Sequence, residues 1–440
     1  MLDRIPPELV MHIVSFVDAP GLLSLRLTCR KLYADSFPPF AREFFGSVNI
    51  NFCIGTLPRF QKIAQDENLR KHVREIRVGM AGCRYTGCRE LSQFHHPFGL
   101  GYHWIREASG CLDASSPRVA QFCSLVAGKF LNCSSVSIRD GDGDFEPRVA
   151  TEKYLSPTDV VHIMLLSVAG LNLRSFRVEF LLRGSILTTS ELPRRLIHFD
   201  GFLGPWATAL TELRLNWDHE GGTVDVTTSL IAQAKSLRRL HLDFNRDSLS
   251  TGFVSQLAGL PQLPPITHLS LRLLRDMSPT VLLAFLCRLQ NSLVHLHLSA
   301  IPLHLDGWRA VFASCRRNLS RLDCFSVHNP RKGPGFSPWF FCSLLHWDGV
   351  PNSGKLEISI APIRGTRGVN GVRITSGQEA MQAWLLGLEK CISSEPSLHV
   401  DKAKASPLPQ TLLIAKGMRA KIIRGRDFIT AFDRLPKYIQ

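Results

Sequence analysis

Residues Leu237–Asn245 read LRRLHLDFN. Leu240 and Leu242 stand two residues apart, the spacing that places side chains on one face of a strand, and Leu237 leads into them. The same L-x-x-L-x-L pattern returns at Leu210-Leu213-Leu215, Ile266-Leu269-Leu271, Leu293-Leu296-Leu298 and Leu319-Leu322-Cys324. Successive starts are 27, 29, 27 and 26 residues apart. So steady a return predicts one strand per repeat, each with its leucines turned to a common core.

Helical patterns fill the intervals. Ser278-Pro279 opens Val281, Leu282, Phe285, Leu286 and Leu289, and Asp306 opens Trp308, Val311, Phe312 and Cys315. A polar starter followed by apolar spacings of three and four is the mark of an amphipathic helix. The period and the strand pattern resemble leucine-rich repeats. The array is irregular: only the copy at Leu237 has the turn asparagine, Asn245, where the others place Asp218, Leu274, Ile301 or Val327. Earlier strands are expected at Val48-Asn49-Ile50, Val73-Ile76-Val78, Cys133-Val136-Ile138 and Leu173-Phe176-Val178. Their helices are expected near Leu57–Ala64, Val119–Phe130 and Thr158–Val168. Residues 80–115 and 328–352 interrupt the rhythm. After Lys355, Leu356-Ile358-Ile360 and Val372-Ile374 read as strands and Ala380–Leu388 as a helix.

The expected fold is therefore an α/β solenoid. A short helical unit occupies residues 1–40. An irregular leucine-rich-repeat-like array of parallel strands and outer helices occupies 41–395, with an insert at about 80–115. A basic tail or capping element follows at 396–440.

On each strand the residues between the inward leucines line the opposite face. They are Glu212, Arg214 and Asn216; Arg239, His241 and Asp243; His268, Ser270 and Arg272; His295, His297 and Ser299; Arg321, Asp323 and Phe325. Arginine forks suit carboxylate and phosphate. This makes Arg214, Arg239, His241, His268, Arg272, His295, His297 and Arg321 candidates for contacting an acidic or phosphorylated protein. The plainer reading is a solvated polar face.

The N-terminal segment has a different character. Pro6 and Pro7 suit a first helical turn, and Glu8 favours the positive end of the helix dipole. Leu9, Ile13, Phe16 and Val17 then share one helical face. Asp18-Ala19-Pro20-Gly21 breaks the helix, a second stretch runs from Leu22 and Leu23 through Leu25 and Leu27 toward Leu32, and Pro38 and Pro39 end the unit. Some forty residues bury too little apolar surface to fold independently, so this segment must lean on a partner or on the rest of the chain.

The run Ile5-Pro6-Pro7-Glu8-Leu9, then Ile13 and Phe16, then Leu25 through Tyr33 (LRLTCRKLY), resembles the F-box. Phe40–Ile50 and Asn68–Gly79 look like its continuation in filamentous-fungal F-box proteins. The resemblance implies a three-helix unit that docks on a Skp-type adaptor and through it on a cullin–RING ubiquitin ligase. Carried over by position, Ile5, Pro6, Leu9, Ile13, Leu25 and Leu32 are the adaptor-facing or unit-holding residues. It further implies a substrate-recognition subunit, with an unknown protein client on the array and no catalytic residue of its own. The rival is a repeat scaffold that holds a fixed partner and uses its F-box outside a ligase.

Composition limits the other readings. Of the 440 residues, 45% are hydrophobic and 20% charged, which is ordinary for folded proteins. No apolar run approaches the roughly 18 residues that cross a bilayer, and Asp3 and Glu8 interrupt any leader-like stretch. A soluble intracellular protein, cytoplasmic or nuclear, is expected, with no membrane partner. The net charge of +15 is dispersed rather than striped, in pairs such as Arg238-Arg239 and Arg316-Arg317, which disfavours nucleic acid. Most of the twelve cysteines are expected as reduced, buried thiols.

Cys83 and Cys88 with His95, His96 and His103 offer zinc-type donors, but the adjacent histidines lack a standard spacing, so a polar loop is expected. Asp140, Asp142 and Asp144 start like a calcium loop, yet Phe145 stands where glycine is needed and Thr151 where glutamate is. No P-loop, nucleophile elbow or H-E-x-x-H motif occurs. Neither a metal nor a cofactor is expected.

Overall fold

The computed structural model describes residues 5–79, 98–139, 152–180, 204–216, 222–244, 250–274, 276–328, 355–363, 366–393 and 421–424. Cys83, Cys88, His95, His96 and the Asp140–Asp144 run lie outside these, as does most of the 396–440 segment. The chain divides into two units, residues 1–217 with 221–226 and residues 218–220 with 227–440.

The first unit opens with four short helices: α1 (Pro7–Val14), α2 (Ala19–Arg26), α3 (Arg30–Asp35) and α4 (Phe37–Phe45). Asp18 caps α2 by accepting from the Gly21 amide at 2.9 Å, so Ala19-Pro20-Gly21 belong to a first turn and not to the break before it. The stretch expected as one helix from Leu22 to Leu32 is two. Thr28 Oγ1 donates to the Leu25 carbonyl at 2.7 Å and Cys29 is extended, which stops α2 and restarts the chain as α3. Pro38 and Pro39 do not end the helical run either. They sit in the first turn of α4, where a missing amide costs nothing.

Beyond α4, strands β1 (Ser47–Ile50), β2 (Glu75–Gly79), β3 (Ser135–Arg139), β4 (Ser175–Glu179) and β5 (Glu212–Asn216) pair in parallel, each with the next. Their register carries two apolar rows: Val48, Ile76, Val136, Phe176, Leu213 and Ile50, Val78, Ile138, Val178, Leu215. Every member is buried. Helices Leu57–Gln65, Pro117–Lys129 and Pro157–Val168 cross between strands and pack side by side. Residues 98–115 of the expected insert are among those described. Trp104 is buried with its Nε1 donating to the Gly99 carbonyl at 2.9 Å. Arg106 pairs with Asp159 at 2.8 Å, both nearly buried, and Asp159 closes a capping box with Ser156.

The second unit repeats the plan with β6 (Arg239–Asp243), β7 (His268–Arg272), β8 (His295–Ser299) and β9 (Cys324–His328), again in parallel. Its core rows are Leu240, Leu269, Leu296, Phe325 and Leu242, Leu271, Leu298, Val327. The last repeat thus starts at Leu322, three residues later than the expected Leu319. Phe325 and Val327 are its inward residues, both buried. The run of successive parallel strands breaks there. β10 (Lys355–Ile363) and β11 (Thr366–Thr375) form an antiparallel hairpin, β11 runs antiparallel to β9, and β12 (Lys421–Arg424) pairs in parallel with β10. Val372 and Ile374 extend the two core rows across the reversal. Helix Gln378–Ser393 then packs on helix Leu305–Asn318, tied by Arg316 to Glu389 at 3.1 Å.

Candidate functional site

Two surfaces hold the residues singled out by sequence. The first is the N-terminal helical unit. Val10, Val14, Leu22 and Leu32 form its core, and Ile5, Val17, Leu25, Cys29 and Phe40 pack half-buried against it. This core turns Leu9, Ile13 and Phe16 of the α1 region the other way: they are 54%, 45% and 78% exposed. Leu23 and Leu27, of and just after α2, are exposed as well. Pro6 is the exposed N-cap of α1. The Ile5 carbonyl accepts from Lys31 Nζ at 2.9 Å and ties the chain start to α3.

The candidates therefore separate into three groups. Leu9, Ile13 and Pro6 face outward, and Ile5 and Leu25 straddle core and surface. Leu32, 2% exposed, is sealed inside and holds the unit together, so as an adaptor contact it is corrected. The carried-over set left out Phe16, Leu23 and Leu27, which also face outward. It also missed Arg26, whose guanidinium lies 4.0 Å over both the Tyr33 and Phe40 rings and donates to the Tyr33 carbonyl at 2.8 Å. A buried cation between aromatic faces fastens α2 to α3 and α4. No spacing rule signals it.

Residues 2–35 match the family model named F-box-like. The chain carries an F-box-like domain. The match ends as α3 ends, so the three helices α1–α3 are the F-box-like unit and the exposed apolar side chains lie on it. No curated protein matches the chain.

The second surface is the polar face of the strands, which differs between units. In the first unit, arginine and glutamate interleave. Arg77 pairs with Glu75 at 2.6 Å, Arg177 with Glu212 at 3.0 Å, and Glu179 takes both Arg139 at 2.8 Å and Arg214 at 3.0 Å. Arg214 is thus already engaged by a neighbouring strand.

In the second unit the rows run Arg239, His268, His295, Cys324, Thr375; then His241, Ser270, His297, Ser326, Arg373; then Asp243, Arg272, Ser299, His328. Rings His268 and His295 stack at 4.0 Å, nearly parallel at 18°. His297 is buried and its Nδ1 meets Ser326 Oγ at 2.6 Å. Arg272 pairs with Asp243 at 3.1 Å. Burial, then the neighbours His295, Arg239 and His241, pushes His268 down to about 3. Burial and Arg272 push His328 down to about 4. His295 and His297 are lowered too, chiefly by burial. The imidazoles are neutral at physiological pH.

Arg321 is corrected. Because the last repeat starts at Leu322, Arg321 falls in the turn before β9, where it donates to the Asn291 carbonyl at 2.9 Å. Phe325, expected on the polar face, is a core residue for the same reason. His328 and Arg373 take their places on the face. A count of 29 residues from Ser299, the longest of the repeat spacings, finds His328; Arg373 arrives only through the antiparallel β11.

His103 Nε2 bonds Glu152 at 2.9 Å on the surface. Among the described residues no group of three or more His, Cys, Asp or Glu side chains is gathered to hold a metal. Among them too, no helix is long and apolar enough to cross a membrane.

Proposed function

We propose that the chain is a substrate-recognition subunit of a Skp–cullin–F-box type ubiquitin ligase. The F-box-like unit docks the Skp-type adaptor through Pro6, Leu9 and Ile13, with Ile5 and Leu25 shaping the patch and Phe16, Leu23 and Leu27 extending it. The leucine-rich-repeat-like array receives a protein client on its polar strand faces. Ubiquitin transfer then depends on proximity: a tethered client lysine meets the charged conjugating enzyme at high effective concentration, and this chain supplies placement.

The observation that carries the reading is the pair Leu9 and Ile13, half-exposed on a helix whose opposite face already has its own core. Apolar side chains left outside a completed core gain by being covered, at about 25 cal/mol per Å². The test is co-expression of the chain with a Skp-type adaptor. Leu9→Asp/Ile13→Asp is expected to weaken adaptor capture by at least about 100-fold, two side chains at about 1.5 kcal/mol each. Its Tm is expected to match wild type, since Val10 and Val14 are untouched. Equal capture by wild type and variant would refute adaptor docking at this face.

A further inference from the structure

The turns that lead into β2 and β3 are fastened to each other. Asn132 Nδ2 donates to the Lys71 carbonyl at 2.9 Å, and Arg74 donates to the Asn132 carbonyl at 3.3 Å. Leu131, in the second of these turns, is 71% exposed. Lys71, Arg74, Lys129 and Asn132 are exposed with it. Arg42, exposed in the last turn of α4, belongs to the same place, because α4 meets the first turn where Phe37 packs edge-on against His72 at 6.3 Å. Burial, then Lys71, Arg42 and Arg74, push His72 below its ordinary range, so the charges that shift this imidazole are cations.

Few carboxylates oppose them. Helix Leu57–Gln65 and the whole run 117–139 contain no Asp or Glu. Beside the turns, Asp66 accepts from the Asn68 and Leu69 amides, Glu67 pairs with Arg70 at 2.9 Å and Glu75 with Arg77 at 2.6 Å. Glu43, next to Arg42 on α4, is the exception. Arg42 and Lys129 sit in the last turns of their helices, where a cation offsets the dipole. That accounts for a cation at each helix end and not for a leucine held in water among them. A leucine so placed gains by being covered, and the charges beside it select for an anionic cover. A lipid surface needs more inserted apolar area than one leucine supplies. Single-stranded nucleic acid needs aromatic platforms for its bases, and the tip here is aliphatic.

We infer that Arg42, Lys71, Arg74, Lys129 and Leu131 form a docking patch for an acidic segment of a partner protein, which sets an apolar side chain on Leu131 and its carboxylates among the cations. The patch shares no residue with the strand faces assigned to the client or with the α1 face assigned to the adaptor. The inference goes beyond the receptor reading and does not depend on it.

The test uses the purified full chain and fluorescein-labelled degenerate peptide pools with a fixed central leucine, flanked by glutamates or, for comparison, by glutamines. Anisotropy is expected to show the glutamate pool binding at least about tenfold tighter, an advantage that shrinks as NaCl rises from about 50 to about 300 mM. Arg42→Glu/Lys71→Glu is expected to lower that affinity about tenfold and Leu131→Ser about fivefold. Arg239→Glu, an exposed reversal in the second unit, is expected to leave it unchanged. Since these side chains are exposed, all the variants should keep the wild-type Tm. Equal binding of the two pools, or no binding by either, overturns the inference. So does undiminished binding by the folded double variant, or an equal loss from Arg239→Glu. Capture of phosphatidylserine vesicles or single-stranded RNA in preference to the glutamate pool overturns the assignment to a protein partner.

Discussion

The two units share a backbone plan and the same inward code, yet their polar strand faces are built on different chemistry. In the first, each of Arg77, Arg139, Arg177 and Arg214 meets a glutamate on its own or an adjacent strand. In the second, histidine and serine are the commoner polar residues among the described strands, and Arg272 pairs with Asp243. Stability of the sheet depends on the inward rows. The outward rows are free to differ, and their content decides whether a cationic face is satisfied from within or suited to a partner.

The largest expected effect tests what the units share. Ile138→Ala in the first and Leu296→Ala in the second should each lose about 2–5 kcal/mol, since both side chains are buried in a parallel row. Urea midpoints measure this, and a loss confined to one unit would break the equivalence. Next comes the polar face. Glu179→Gln removes the acceptor of two arginines and should lose about 1–3 kcal/mol, whereas exposed Arg239→Ala should stay within about 0.5 kcal/mol. A comparable loss from both would erase the distinction drawn between the faces.

The smallest effect is a pH dependence. His268, His295, His297 and His328 are held below the unfolded value of 6.5, facing Arg239, His241, Arg272, Arg373 and Asp323. Below 6.5 the unfolded chain binds protons that the folded chain refuses. Stability is therefore complete above pH 6.5 and falls as the pH drops toward about 4 and about 3, the folded values of His328 and His268. Hydrogen exchange at pH 7.5 and 5.5, corrected for intrinsic rates, should show β7–β9 losing more protection than β2–β4. His297→Asn should shrink that difference, and equal losses in both units would contradict it.

Much of this was legible in the chain. The strands at Val48, Ile76, Val136, Phe176, Leu213, Leu240, Leu269 and Leu296 follow from alternation, because a leucine two residues from another shares its face. Helices at 57–65, 117–129 and 157–168 lie within a few residues of their apolar patterns. The slip from Leu319 to Leu322 shows where pattern is ambiguous. Leu319, Leu322 and Cys324 satisfy the template as a string, while pairing of Leu296 with Phe325 demands the later register. Leu32 illustrates a second limit: a helical face predicts that leucines cluster, not which cluster is sealed. The β11 reversal was illegible because strand direction depends on its partner, not on local sequence.

Local periodicity and the F-box-like string by themselves determined the helical N-terminal unit, the strand–helix alternation and most inward residues, since these rest on near-neighbour geometry. Only the tertiary structure decided which leucines of α1 and α2 stay outside, which arginines already have carboxylates, and that Arg373 joins the histidines of β7 and β8. Those outcomes depend on residues brought together from distant positions, and burial and charge act through space.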